Sequence, residues 1–213
     1  MRVVVIPVKS LGRSKSRLSN VLSPLERGAL TLAMLEDVLD VTLTLVGWET
    51  WVVSPDEAVL EVSARRGVRT LVEDRPGLSA AIRQAESVAV AEHAQALAVL
   101  PGDLPLLTAG ALTATLRTLG PVVVARSARD GTSLLLRRPP RAIAARFGAE
   151  SFRKHLELAE AKGLPTAVVD RPELAFDLDE PDDILTLLED GRRGRTRDVC
   201  HGMDLGGRLT AHG

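Results

Sequence analysis

The sequence predicts an α/β protein built on a mostly parallel sheet with helices on both faces and one antiparallel strand late in the chain. Three observations carry this. Apolar β-branched runs such as Arg2-Val3-Val4-Val5-Ile6-Pro7-Val8 are near-continuously hydrophobic, as parallel strands covered on both faces must be. Such runs alternate with helical patterns in a βαβα rhythm as far as about Ala125. The rhythm then breaks at Asp130-Gly131, a turn with a strand directly on either side.

The elements follow in order. After the first strand comes a polar loop from Lys9 to Ser23. Ser23-Pro24-Leu25-Glu26 is a capping box, with Ser as N-cap, Pro at the first helical position and Glu three residues on. The helix it starts runs to about Leu45. Trp51 to Val53 is a strand, Pro55 to Arg66 a helix stopped by Gly67, and Val68 to Val72 the third strand. An Ala-rich helix spans Leu78 to about His93, and the fourth strand, Ala96 to Leu100, ends at Pro101-Gly102-Asp103. A helix over Ala109 to Leu119 leads to the strand Pro121 to Ala125, and Ser133 to Arg137 is the antiparallel strand. Ala149 to Lys162 is helical, Thr166 to Val169 and Ala175-Phe176 are short strands, and Asp182 to Glu189 is a last helix. Residues 1–190 read as one domain, and Gly191 to Gly213, rich in Gly and Arg and without periodicity, as a flexible tail.

Composition excludes several classes of function. The 213 residues carry a net charge of −1 and only three Phe, two Trp and no Tyr. Neither a basic field nor stacking platforms for nucleic acid are present, so no nucleic-acid partner is expected. The single cysteine, Cys200, rules out an intrachain disulfide and a multi-cysteine metal site. The first strand begins at once, which leaves no room for a signal peptide, and no apolar run approaches the roughly 20 residues of a membrane helix. A cytoplasmic protein without a membrane partner is expected.

Four stretches can carry chemistry. Lys9-Ser10-Leu11-Gly12-Arg13-Ser14-Lys15-Ser16-Arg17 follows the first strand, where open α/β sheets bind ligands, and its cations and hydroxyls suit a polyphosphate. It has neither P-loop nor Rossmann spacing, and a solvated surface loop explains the local sequence as well. Asp103 follows an apolar strand directly, framed by Pro101, Gly102 and Pro105; it can hold Mg²⁺ through oxygen or merely stabilise its turn. Asp177 and Asp179 alternate across Leu178, so an extended backbone puts both carboxylates on one face, where with Asp103 they can hold one or two Mg²⁺. Asp179 serves equally as a helix cap, and Asp182 and Asp183 belong to the helix N-terminus. Last, Asp130-Gly131-Thr132-Ser133 pairs with Arg146-Phe147-Gly148-Ala149-Glu150-Ser151-Phe152, whose amides and hydroxyls at a helix start suit an anion or simply cap that helix. His93, His155, His201 and His212 have no ligand spacing, and His155 reads as a packing or surface residue.

Taken together and in this order, Ile6-Pro7-Val8-Lys9, Lys15-Ser16-Arg17-Leu18, Gly102-Asp103-Leu104-Pro105-Leu106, Gly131-Thr132, the Arg146–Phe152 stretch and Asp177-Leu178-Asp179 give the chain a family likeness. It resembles the phosphoenolpyruvate or 2-phospho-L-lactate guanylyltransferases of coenzyme F-420 biosynthesis, over roughly residues 1–190. The resemblance implies a three-layer α/β/α nucleotidyltransferase fold of the molybdopterin-guanylyltransferase type, with a mixed sheet of about seven strands. It implies transfer of GMP from GTP to the phosphate of a small phosphorylated three-carbon acid, with Mg²⁺ as cofactor and a downstream transferase of the pathway as a partner. It implies Asp103, Asp177 and Asp179 as metal ligands, and Lys15, Arg17 and Asp103 as the catalytic group. Lys9, Lys15, Arg17 and Gly77 would meet the nucleotide, and Thr132, Gly148 and Ser151 the acceptor's carboxylate end. The chain departs from the pattern at Ser133 and Ser79, where relatives often carry Asn. A phosphate nucleophile is already ionised at neutral pH, so the lack of a candidate catalytic His or Cys agrees with this chemistry. The rival readings are another small-molecule nucleotidyltransferase and a non-catalytic nucleotide-binding protein of the same fold.

Overall fold

The computed structural model describes residues 1–210. Its centre is a seven-stranded sheet in the order β3-β2-β1-β4-β6-β5-β7, made of β1 (Arg2–Pro7), β2 (Glu49–Ser54), β3 (Arg69–Val72), β4 (Ala96–Val99), β5 (Val122–Arg126), β6 (Thr132–Arg137) and β7 (Thr166–Val169). Only β6 runs against its neighbours, pairing antiparallel with both β4 and β5; the other pairings are parallel. This is the expected mixed sheet, with the antiparallel strand where the Asp130-Gly131 turn predicts it.

Two-residue alternation along the strands divides the core into two layers. Val4 and Ile6 of β1 pack with Leu35, Val38 and Leu39 of α1 (Pro24–Thr42) and with Leu112 and Leu116 of α4 (Ala109–Arg117); between these two helices in the chain come α2 (Glu57–Arg65), joining β2 to β3, and α3 (Leu78–Ala91), joining β3 to β4. Val3 and Val5 face the other way, onto Ala81, Ile82, Ala85 and Ala89 of α3. Beyond β6, α5 (Ser151–Glu160) covers the far strands through Ala159 against Val122, Val124 and Leu135. The capping box that starts α1 forms as read: Glu26 N donates to Ser23 Oγ at 3.3 Å and Ser23 N to Glu26 Oε2 at 2.8 Å.

Two expectations are corrected. Residues Pro172–Ala175 form a short helix, α6, started by Pro172, so no strand exists at Ala175-Phe176. Residues 191–210 are not a loose tail. After α7 (Pro181–Asp190) the chain forms α8 (Arg195–Gly202) and α9 (Leu205–Thr210), and Cys200 and Leu205 are buried with Leu30, Met34, Ile184 and Leu187. Asp37 of α1 anchors α8 by accepting from Arg195 N at 2.8 Å, Thr196 N at 2.9 Å and Thr196 Oγ1 at 2.6 Å. The apolar residues that make this packing are too few and too interrupted by glycine to give a helical period. Residues 211–213 of the expected tail, with His212, lie outside the described residues.

Candidate active site

The carboxyl ends of β1 and β4 lie side by side, and the loops that leave them build the site. After β1 the chain makes two 3₁₀ turns, Leu11–Arg13 and Ser16–Leu18, with Lys15 between them in the left-handed region at φ 49°. A non-glycine residue there needs outside support. Thr31 of α1 donates to Ser14 Oγ at 2.9 Å, and Ser14 Oγ donates to Leu11 O at 2.7 Å, so the loop is tied down just before Lys15. The result is a nearly buried ammonium group: Lys15 Nζ lies 2.7 Å from Asp103 Oδ2 and 3.8 Å from Asp179 Oδ1, with 5% of its side chain exposed.

Asp103 reaches this point because Gly102 passes tightly over β1; a Cβ at Gly102 would meet Ile6 Cγ2 at 3.3 Å. The two acidic segments are joined by backbone, with Leu178 N donating to Asp103 O at 3.3 Å. Leu178 is fully buried, which leaves Asp177 and Asp179 on either side of it. Burial pushes the Asp177 carboxyl up, and the negative charge of Asp103 pushes the same way, against the pull of Arg129 and Lys15. Outside this core, Arg17 is 58% exposed and pairs with Asp179 at 2.9 Å and Glu180 at 3.3 Å.

Arg129 is a site residue that sequence reading missed. It stands in the β5–β6 turn and reaches Asp177 Oδ1 at 3.3 Å and Asp183 at 2.7 Å. No spacing links it to those acids; the only sequence signal is its place beside the Asp130-Gly131 turn. Asp183 also accepts from the amides of Asp179 and Glu180 at 2.8 and 2.7 Å, which is the helix-start role read for it.

The same cavity, of about 520 Å³, is also lined by Thr132, Gly148 and Ser151. Thr132 and Ser151 are almost fully buried, and Ser151 N donates to Gly148 O at 3.1 Å. Gly148 sits at φ +116° with open space where a side chain would project. His155, on the first turns of α5, is fully buried behind them. Its Nδ1 lies 2.9 Å from Thr132 Oγ1, and its Nε2 accepts from Arg146 N at 2.8 Å. Burial, with the charge of Arg137 nearby, pushes this imidazole down to about 4. From the sequence His155 reads as a packing or surface residue; it is buried, and helix position alone does not reveal that both ring nitrogens are engaged.

Gly77 lines a second cavity of about 470 Å³, at φ +114°. Lys9 lies on the wall between the two cavities, and Arg13 and Leu78 also border both. Basic loop, acids and anchor thus share one cavity, with a neighbouring lobe beside Gly77. Among the described residues, no three His, Cys, Asp or Glu side chains already stand as a metal-ligand group. The Lys15 ammonium occupies the space between Asp103 and Asp179 instead. The donors are nonetheless hard oxygens, and the Asp103–Asp177 repulsion is the kind a divalent cation relieves.

A mixed sheet of this order, with cations and carboxylates gathered at the carboxyl ends of its parallel strands, defines a nucleotidyltransferase. A nucleotidyl transferase from Methanothermobacter thermautotroptrophicus superposes with a TM-score of 0.69 at 19% identity, over 89% of this chain and 97% of that one, a likeness of fold. The chain belongs to the CofC-like guanylyl transferase family, whose pattern it matches over residues 1–206. It is 41% identical to a phosphoenolpyruvate guanylyltransferase of Rubrobacter xylanophilus, covering 88% of this chain and 93% of that protein. It is 38% identical to a 3-phospho-D-glycerate guanylyltransferase of Phenylobacterium zucineum, covering 93% and 95%. It is 30% identical to a 2-phospho-L-lactate guanylyltransferase of Methanocaldococcus vulcanius, covering 95% and 91%. No helix among the described residues is long and apolar enough to cross a membrane.

Proposed function

We propose that this protein transfers GMP from GTP to the phosphate of phosphoenolpyruvate or a close phosphorylated three-carbon acid, releasing pyrophosphate, as a cytoplasmic step towards a deazaflavin coenzyme. The observation that carries the reading is the division of one cavity. Lys15, Arg17 and the acids Asp103, Asp177 and Asp179 form one charged set in its lining, and Thr132, Gly148 and Ser151 a separate uncharged set. A triphosphate needs the first set and a small carboxylate the second.

The residues act as follows. Lys15 and Arg17 exchange their carboxylate partners for phosphate oxygens of GTP, and Lys9 and Gly77 border the path to the nucleoside. Mg²⁺, held by Asp103, Asp177 and Asp179, would neutralise charge on the triphosphate. The acceptor phosphate attacks the α-phosphorus, and pyrophosphate leaves on the opposite side. The attacking oxygen is already ionised, so no protein base is needed; catalysis is alignment and charge neutralisation. Thr132, the Gly148 amide and Ser151 fix the acceptor's carboxylate so that its phosphate faces the nucleotide. None of these three reads the geometry of the acceptor's central carbon, so related acceptors overlap.

The test is pyrophosphate release from GTP with phosphoenolpyruvate, 2-phospho-L-lactate, 3-phospho-D-glycerate and no acceptor. Release that depends on one of these acids supports the reading. Release that is absent with all three, in the presence of Mg²⁺, overturns it.

A further inference from the structure

We propose that His155 is a positioning residue that commits the hydroxyl proton of Thr132 to the acceptor's anionic group and, through the same ring, holds the Arg146–Gly148 loop against it. The proposal rests on the reading of Thr132 as an acceptor anchor.

The reasoning begins with a donor that has no choice. A backbone N–H can only donate, and Arg146 N lies 2.8 Å from His155 Nε2. Nε2 must therefore present a lone pair. A neutral imidazole with a bare Nε2 carries its proton on Nδ1. Doubly protonated, it would turn an N–H against an N–H. Nδ1 lies 2.9 Å from Thr132 Oγ1, so the ring donates and the hydroxyl oxygen accepts. A hydroxyl has one proton to give. With the imidazole acting as the donor in that contact, the Thr132 proton has to point elsewhere. Thr132 lines the central cavity, so the proton is available to an anion there. The histidine turns a group that could donate or accept into one that donates.

The ring also fixes the loop. Phe147 packs edge-on against it, with centroids 5.3 Å apart and planes at 67°. One fully buried side chain thereby sets the hydroxyl on β6 and the loop whose Gly148 amide and following Ser151 complete the anchor. Both its nitrogens are engaged, so it cannot take a proton from substrate without breaking one of these links. It acts through Thr132 and the loop.

Two measurements test this. In protein labelled with ¹⁵N-histidine, His155 should carry its proton on Nδ1 with Nε2 bare at neutral pH; a proton on Nε2 overturns the proposal without any activity measurement. The second is a cycle of His155→Gln, Thr132→Val and the double variant, assayed with GTP and phosphoenolpyruvate. Gln can still accept near Arg146 but no longer places a ring N–H on Thr132. Each single variant should raise the phosphoenolpyruvate KM about tenfold, as loss of one hydrogen bond to a charged group does, with the GTP KM unchanged. The double variant should be no worse than the worse single one. Multiplicative losses, or a GTP KM that rises with the acceptor KM in His155→Gln, overturn the proposal. If Thr132→Val leaves the acceptor KM unchanged, the anchor reading itself fails and takes the proposal with it. If Thr132→Val raises it and His155→Gln does not, the anchor stands and only the role of His155 falls. Should His155→Gln not fold, the ring tautomer together with Thr132→Val still decides.

Discussion

Lys15 Nζ donates to Asp103 Oδ2 at 2.7 Å, joining a loop after the first strand to the acid that follows the fourth, 88 residues on. The ammonium group is almost wholly shielded, whereas its partner carboxylate is about one-third exposed. This pair neutralises the charges that a triphosphate and a cation would meet on the proposed reading. On that reading, a triphosphate and a cation would bind by exchange of partners rather than by filling an empty charge trap.

Lys15→Ala should cost more than Arg17→Ala. Lys15 is desolvated and faces two carboxylates, whereas Arg17 is 58% exposed and screened by water. We expect kcat/KM for GTP to fall about a hundredfold in the first variant and about fivefold in the second, in line with losing a buried and an exposed charged contact. Steady-state pyrophosphate release measures both. The reverse order would assign the triphosphate contact to Arg17.

The same pairing predicts how Mg²⁺ behaves. If these acids hold Mg²⁺ as proposed, the cation would have to displace Lys15 from Asp103 and Asp179, and Arg129 from Asp177. Weak binding is expected from titration calorimetry on protein stripped with EDTA. Lys15→Met removes the competing ammonium and should strengthen Mg²⁺ binding several-fold, whereas Asp177→Asn should weaken it. If Lys15→Met binds Mg²⁺ no better than the parent, the acids do not form the cation site.

Much of this arrangement is legible in the sequence, and the remainder shows what limits such reading. Asp103, Asp177 and Asp179 can be picked out because each sits at a strand end or on an alternating extended segment, where local geometry fixes direction. Thr132 and Ser151 stand out because a turn and a helix start expose polar groups in known ways. Arg129 and His155 stay hidden because their roles depend on partners fixed only by tertiary packing, Asp177 and Asp183 for one, Thr132 and the Arg146 amide for the other. The C-terminal helices are missed for a related reason: α8 and α9 have 8 and 6 residues, and tertiary burial rather than periodicity holds them.

Packing of that terminal region makes Cys200 a probe. Its side chain is fully buried and burial pushes the thiol up to about 11, so little thiolate exists at neutral pH. Native protein should react with a thiol reagent orders of magnitude more slowly than denatured protein. Removing residues 191–213 uncovers the Leu187 and Ile184 side of this core, and each apolar side chain exposed costs roughly 1.5–3 kcal/mol. The truncated chain should melt several degrees lower. Fast thiol labelling without denaturant would mean that α8 and α9 do not stay packed.

Stability at mildly acid pH reports on His155 separately from catalysis. In the folded protein its imidazole is pushed down from 6.5 to about 4, first by burial and then by the charge of Arg137. The unfolded chain therefore binds a proton through this window while the native protein does not, and stability rises with pH there. The contribution is complete above about pH 6.5, where neither state is protonated. It is lost at about 1.4 kcal/mol per pH unit as the pH falls towards 4. Asp177 acts in the opposite sense, because its folded carboxyl is pushed up and its charge is more costly in the native protein. The useful quantity is accordingly the difference between the parent and His155→Gln, in which the Asp177 contribution cancels. Urea unfolding at intervals from pH 7.5 down to about pH 4.5 should show that the parent loses stability more steeply than the variant below about pH 6.5. Parallel curves for the two proteins would mean that His155 is protonated in the native state, and the neutral, Nδ1-protonated ring bridging Thr132 and Arg146 would have to be abandoned.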